Sequence, residues 1–286
     1  MEISAAAVKQ LRDKTGAGMM DCKKALQESG GDMEKAIEYL RKKGAATAEK
    51  RADRSTNEGV VLTEIDNGTG IILELNCETD FVARSDDFLN FAQQLLGIIK
   101  SEKPANVDAL LALTVDGTKV EDMLSDTVGK IGEKIEINRF ANLNTDGILI
   151  DYIHPGAKLG VMIELKGEGD LKGKEPVDTL GKDLAMQIAA MNPVALNRDA
   201  VPKDVQEKEL DIYRQQAKEQ GKPDNIVDKI AEGKLSKYFQ EYTLLEQSFI
   251  RDNTKTVQEH IGEVSKEVET PISVVRFERF QVGEGN

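Results

Sequence analysis

The sequence predicts an α+β protein: an N-terminal three-helix bundle, two duplicated antiparallel sheet-plus-helix subdomains, and an inserted antiparallel helical hairpin. Three observations predict it. Apolar residues in the first 44 positions recur at helical spacing between glycine stops. Two later stretches repeat one another, each an alternating hairpin followed by a helical pattern. Some 40 residues of narrow-striped helical sequence then interrupt the second copy.

Taken in order, Ser4 caps a first helix whose Val8 and Leu11 share a face, and Gly16 and Gly18 break it. Helix resumes over Met19 to Glu28 with Ala25 and Leu26 inward, and Gly30 and Gly31 stop it. Asp32 caps a third helix, with Met33, Ala36, Ile37 and Leu40 at i, i+3, i+4 and i+7, that is expected to end at Gly44. These helices make a bundle over residues 1–45. Residues 46–57, charged and without a periodic apolar face, read as a linker with some helix content.

The duplication begins at Gly59-Val-Val-Leu, a turn, and Gly70-Ile-Ile-Leu-Glu74-Leu75, echoed 88 to 90 residues later by Gly147-Ile-Leu-Ile, a turn, and Gly160-Val-Met-Ile-Glu164-Leu165. Val60, Leu62, Ile71, Leu73 and Leu75 alternate across an Asp66-Asn67-Gly68 turn, which describes a hairpin with one buried face; the second copy turns at His154-Pro155-Gly156. A helix follows each hairpin, Phe88 to Ile99 with Phe91, Ala92 and Leu95 inward, and Leu180 to Met191 with Leu184, Ile188 and Met191 inward. Thr127-Val128 with Ile131-Gly132-Glu133 matches Thr256-Val257 with Ile261-Gly262-Glu263, and the strand Ile135 to Phe140 matches Val274 to Phe280, now at an offset of about 130 to 140. The jump places the insertion between Val201 and Thr254. Val205, Leu210 and Ile212, a Gly221-Lys222-Pro223 turn, then Ile226, Val227 and Ile230 make a helical hairpin expected to project as an antiparallel coiled coil. The expected domains are therefore 1–45, a linker 46–57, a first subdomain 58–143, a second at 144–200 and 255–286, and the hairpin 201–254.

A chain of 286 residues suits several modules rather than one small core. Its net charge of −13 and lack of tryptophan argue against a phosphate-neutralising or base-stacking surface, so no nucleic-acid partner is expected. No apolar run approaches the roughly 18 residues of a membrane span, and no signal peptide is visible, so no membrane partner and a cytoplasmic location are expected. Cys22 and Cys77 have no partner spacing and read as packed, reduced thiols.

Enzyme chemistry fails on inventory. His154 and His260 are isolated, which leaves no metal-ligand set, and Gly167 to Lys174 lacks the first glycine and the Ser/Thr of a phosphate loop. No catalytic residue, metal or cofactor is expected. Carboxylates are abundant, and spacing nominates no pair as acid and base.

One segment stands apart, ELNCETDFVAR at Glu74 to Arg84. By chemistry alone, a phenylalanine between a strand and a helix belongs in the core. Together with TGAGMMDCKKAL at Thr15 to Leu26, however, the segment resembles the elongation factor Ts family, which releases GDP from the GTPase elongation factor Tu. The resemblance runs over nearly the whole chain, and it implies guanine-nucleotide exchange in translation elongation by protein binding, in a heterodimer with elongation factor Tu whose further dimerisation is left open. It implies a bundle like the ubiquitin-associated fold. It implies that Thr79, Asp80, Phe81 and Val82 form the motif that dislocates Mg²⁺, with Phe81 as the wedge and Asp80 a polar competitor near the metal. It implies that Met19, Met20 and Lys23 dock the small bundle on an outer helix of the GTPase domain, and that Met186, Gln187, Ala189 and Ala190 touch the partner's third domain. Family members often carry histidine where Gln187 stands. The rival reading is an interaction adaptor that recruits another partner through the bundle and has no exchange activity; a third is a hydrolase built on an unseen carboxylate pair.

Overall fold

The computed structural model describes residues 3–169 and 171–284; Met1, Glu2, Gly285 and Asn286, at the ends of the expected outer domains, lie outside the described residues. Three helices open the chain, α1 (Ala5–Thr15), α2 (Met19–Glu28) and α3 (Met33–Arg51), and they bury Val8, Leu11, Cys22, Ala25, Leu26 and Ala36 among themselves. The Ser4 hydroxyl and the Asp32 carboxylate cap α1 and α3 as expected, accepting amides that a helix start leaves unpaired. A hairpin follows, β1 (Glu58–Asp66) and β2 (Thr69–Cys77), then the single turn α4 (Asp80–Ala83), α5 (Asp86–Glu102) and α6 (Val107–Ala112). Short strands β3 (Thr114–Val115) and β4 (Thr118–Lys119) lead to α7 (Val120–Ile131) and β5 (Ile135–Asn144). The second half runs β6 (Ile148–Ile153), β7 (Leu159–Gly167) and α8 (Glu175–Met191), then the helix pair α9 (Lys203–Glu219) and α10 (Asp224–Tyr242). It closes with β8 (Ser248–Phe249), β9 (Asp252–Thr256), α11 (Val257–Glu267) and β10 (Ile272–Gln281). The fold is mixed helix and antiparallel sheet, an α+β protein.

Both three-stranded sheets have one plan. The hairpin's second strand is central and the late strand pairs on its far side, giving β1-β2-β5 and β6-β7-β10, all antiparallel. The sheets meet face to face. Val61 and Ile72 from the first and Leu149, Met162 and Phe280 from the second share one apolar layer, while helices cover the outer faces. The expected single buried face of the first hairpin is therefore corrected: β2 is buried on both sides, Ile71, Leu73 and Leu75 toward α5 and Ile72 toward the other sheet. Strand alternation shows one stripe at a time, and a second sheet covering the other stripe leaves no mark on it.

Gly44 does not end α3, which continues to Arg51 through part of the expected linker. A Cβ on Gly129 of α7 would lie 2.7 Å from the Gly44 Cα, and one on Gly44 would lie 3.0 Å from the Ser125 carbonyl. The two glycines permit contact between helices rather than a stop. Met191, expected inward, is exposed at the end of α8. The matched Thr-Val and Ile-Gly-Glu segments are not equivalent in space: Thr256 caps α11, whereas Thr127 lies within α7, and Gly132 ends α7 in a left-handed conformation while Gly262 is inside α11. The helices occupy like places before their strands, but the sequence match had slipped along them.

A pseudo-two-fold relation is written into the seam between the sheets. Asn138 and Val275 are bulged out of register, and each bulge turns the following arginine onto a buried glutamate, Arg139 onto Glu74 and Arg276 onto Glu164, both at 2.7 Å. Each arginine then crosses to the other half. Arg139 donates to the Gln281 carbonyl at the end of β10, and Arg276 to the Asn144 carbonyl at the end of β5.

The inserted helices pair with one another. Arg214 meets Asp228 at 2.7 Å and Lys234 donates to Gln216 at 2.7 Å, while Leu235 and Phe239 near the base pack on Ala195 and Val201.

Candidate functional site

Where β2 runs out, the chain is fixed by short-range bonds before it can enter α5. Cys77 is buried, and burial first and the nearby Glu133 charge second push its thiol up to about 12, so it packs as an apolar group. Glu78 accepts from Arg51 (2.7 Å), from Arg54 (2.8 Å) and from the Lys134 amide (2.6 Å). Burial raises its pKa, but these donors outweigh that and hold the carboxyl at about 2. Thr79 is bound twice by Glu133, its amide at 3.0 Å and its hydroxyl at 2.8 Å, and the same hydroxyl accepts the Val82 amide to cap α4. The next cap, Ser85, begins α5.

Two caps so close together leave one turn, and one turn has one inward side. Ala83 is buried and Val82 packs on the first core. Phe81 points away from both and is 83% exposed. A desolvated ring would be worth about 1.5 to 3 kcal/mol, and here that free energy remains available to another surface. Beside it Asp80 pairs with Arg84. A cleft of about 600 Å³ adjoins the turn, bounded by Val60, Ala83, Arg84 and Leu89 and by Pro155 and Lys158 of the second hairpin's loop. Of the four residues expected in this motif, the structure thus presents Phe81 and half-exposed Asp80, while Thr79 and Val82 anchor the turn.

Met19 (48% exposed), Met20 (74%) and Lys23 lie together at the start of α2, opposite the buried Cys22, Ala25 and Leu26. On α8, Met186 is half-buried and Ala190 exposed, but Ala189 is nearly covered. Gln187 does not lie at the surface. Its side chain is fully buried, Nε2 donating to Gln247 Oε1 (3.0 Å) and the Ser248 carbonyl (3.2 Å), and Oε1 accepting the Ile250 amide (2.7 Å). The segment 247–250 returns from the helix pair and closes over that turn of α8, so Gln187 supports a surface and does not form one. Sequence reasoning passed over what it supports: Ile250, Met191 and Val194 are exposed apolar residues on this half. The signal was an apolar pair, Phe249-Ile250, at the end of a strand, where the turn that follows carries its own side chain outward.

His154 bonds Tyr152 (2.8 Å) and His260 stacks on Phe249 with centroids 4.1 Å apart, both structural engagements. Among the described residues no group of three or more His, Cys, Asp and Glu could hold a metal, and no helix is long and apolar enough to cross a membrane.

Comparison with known proteins relates the chain to one family. A family model described as Elongation factor TS matches residues 78–284, which takes in the clamped turn, the last strand of the first sheet and the whole second sheet. Curated relatives named elongation factor Ts match along nearly their full length: that of Chlorobium phaeobacteroides (strain BS1) is 51% identical over 99% of both chains, that of Chloroherpeton thalassium 50% over 99% of both, and that of Prosthecochloris aestuarii 48% over 99% of both.

Proposed function

The chain belongs to the elongation factor Ts family, whose role is nucleotide exchange in translation elongation, and we propose that it binds elongation factor Tu·GDP and drives Phe81 toward the nucleotide's Mg²⁺. The observation that carries this is an 83% exposed phenylalanine on a turn anchored at Thr79, Val82 and Ala83. A nucleoside diphosphate is gripped by backbone amides and by Mg²⁺, the largest local charge, so a ring that displaces what supports the metal loosens the whole phosphate site. Asp80 adds a carboxylate there after parting from Arg84. By linkage, whatever weakens GDP in the complex weakens the factor in the presence of GDP, and reloading follows from the same coupling.

Magnitudes require more than one contact. A shift of about 10⁴-fold needs about 5.5 kcal/mol, against about 1.5 to 3 kcal/mol from one buried phenylalanine. Met19, Met20 and Lys23 on a bundle of ubiquitin-associated type, and Met186, Ala189 and Ala190 with their exposed neighbour Ile250, supply the remainder. The proposed domains are 1–45, a linker 46–57, 58–143, 144–200 with 255–286, and 201–254 as a projecting coiled coil, with α3 running from the first into the linker. The complex is a heterodimer formed in the cytoplasm, without covalent chemistry, cofactor, nucleic acid or membrane.

The test is Phe81→Ala, assayed by loss of fluorescent GDP from purified elongation factor Tu. Stimulated release should slow about 10- to 100-fold, the ring's burial energy expressed as a rate, with an unchanged melting temperature. An undiminished rate, or a slow rate explained by a collapsed melt, would overturn the assignment.

A further inference from the structure

Phe81 is useful as a wedge to the extent that it cannot swing, and what holds it comes from outside its own strand and helix. Three donors converge on Glu78: Arg51 in the last turn of α3, Arg54 just beyond, and the Lys134 amide in the connection from α7 to β5. Glu133 of that same connection takes both polar groups of Thr79. The two arms of the clamp therefore issue from α3 and α7, the pair in van der Waals contact at Gly44 and Gly129 and joined again by Arg41 to Asp122 at 2.8 Å. Those helices also carry the bundle. At about 1.5 Å per residue, the 19 residues of α3 make a rod about 28 Å long whose first turns pack in the bundle and whose last turn reaches Glu78.

We propose that Arg51, Arg54, Glu78 and Glu133 are positioning residues for exchange. They bolt the Phe81 turn to the α3–α7 pair, so that the ring and the Met19/Met20 patch are delivered to the GTPase at a fixed separation. The proposal rests on the reading of Phe81 as the wedge. Docking energy gained at the bundle is thereby transmitted to the ring as a push. A loose turn would let the ring fold back while the bundle stayed bound.

The full chain is tested as Arg51→Met/Arg54→Met, which keeps the apolar stems, beside Arg51→Lys/Arg54→Lys, Glu78→Gln and Phe81→Ala. Stimulated GDP release is followed against factor concentration. The proposal expects the maximal rate to fall about tenfold in the methionine variant with half-saturation little changed, and partial recovery in the lysine variant. Because the protein has no tryptophan, Phe81→Trp adds a single reporter: its anisotropy in the free protein should drop when the arginines are removed. Should half-saturation rise while the maximal rate holds, or the reporter's anisotropy stay constant, the arginines merely tether the bundle and the proposal fails. If the methionine variant melts early, Glu78→Gln, which keeps an acceptor for the Lys134 amide, decides by the same two readouts. If Phe81→Ala itself exchanges normally, the wedge reading fails, an outcome separate from failure of the clamp.

Discussion

Phe81 faces solvent because its neighbours are committed. Thr79 and Ser85 cap in succession, Ala83 and Val82 take the core, and the one remaining direction is outward. The motif was legible in the sequence, but its exposure was not: strand-to-helix chemistry would have buried the ring, and the family resemblance alone reversed that. Gln187 shows the opposite failure. It was placed among the contacts by its position in a family segment, whereas its amide is consumed by Gln247, Ser248 and Ile250, residues that an intervening helix pair separates from it in sequence. Gln187→Ala should thus cost stability, about 2 to 4 kcal/mol by the unfolding midpoint in denaturant, because it leaves buried partners unpaired. Activity should suffer through displacement of Ile250. A variant of wild-type stability with impaired exchange would return Gln187 to the contact surface.

Among elements, α3 carries the most that the sequence concealed. Glycine after a periodic stretch usually marks a helix end, and the same residue serves close helix packing equally well; the two uses differ in a partner 85 positions away, Gly129. Gly129→Ala would press a methyl against the Gly44 backbone and should lower stability by about 1 to 3 kcal/mol. Limited proteolysis would show faster cleavage after Arg51 or Arg54 as α3 lifts. Gly97→Ala is the control: a Cβ there meets nothing within 4 Å, and the change should stabilise α5 by about 0.5 to 1 kcal/mol. Equal effects of the two substitutions would refute the contact as the reason for Gly129. Hairpins, their following helices and the inserted helix pair were legible because each has a local period. The helix match around Gly132 and Gly262 slipped because three matching residue types fit two turns of a helix in more than one way.

For the whole molecule, the duplication was read from strand sequence, but the seam was not, since the bulges at Asn138 and Val275 are invisible until the strands are paired. Reciprocal arginines make the two sheets one cooperative body. Arg139→Met and Arg276→Met should each cost about 2 to 4 kcal/mol, below the fully buried range because each guanidinium reaches solvent. Calorimetry of the double variant should resolve two transitions where the parent shows one, and a single sharp transition of parental midpoint would disprove the seam's role. The halves nonetheless differ where it matters. Carrying the strand offset of 90 forward from Glu74 and Glu164, Phe81 falls on Leu171, which is buried against its own sheet and helix. One copy kept its tooth and the other drew it in. On the proposed reading, a symmetric frame with a single pointed jaw would work as a caliper: it would recognise its target by the gap between two landing points, and a look-alike GTPase with those points a few ångströms further apart would be gripped without being opened.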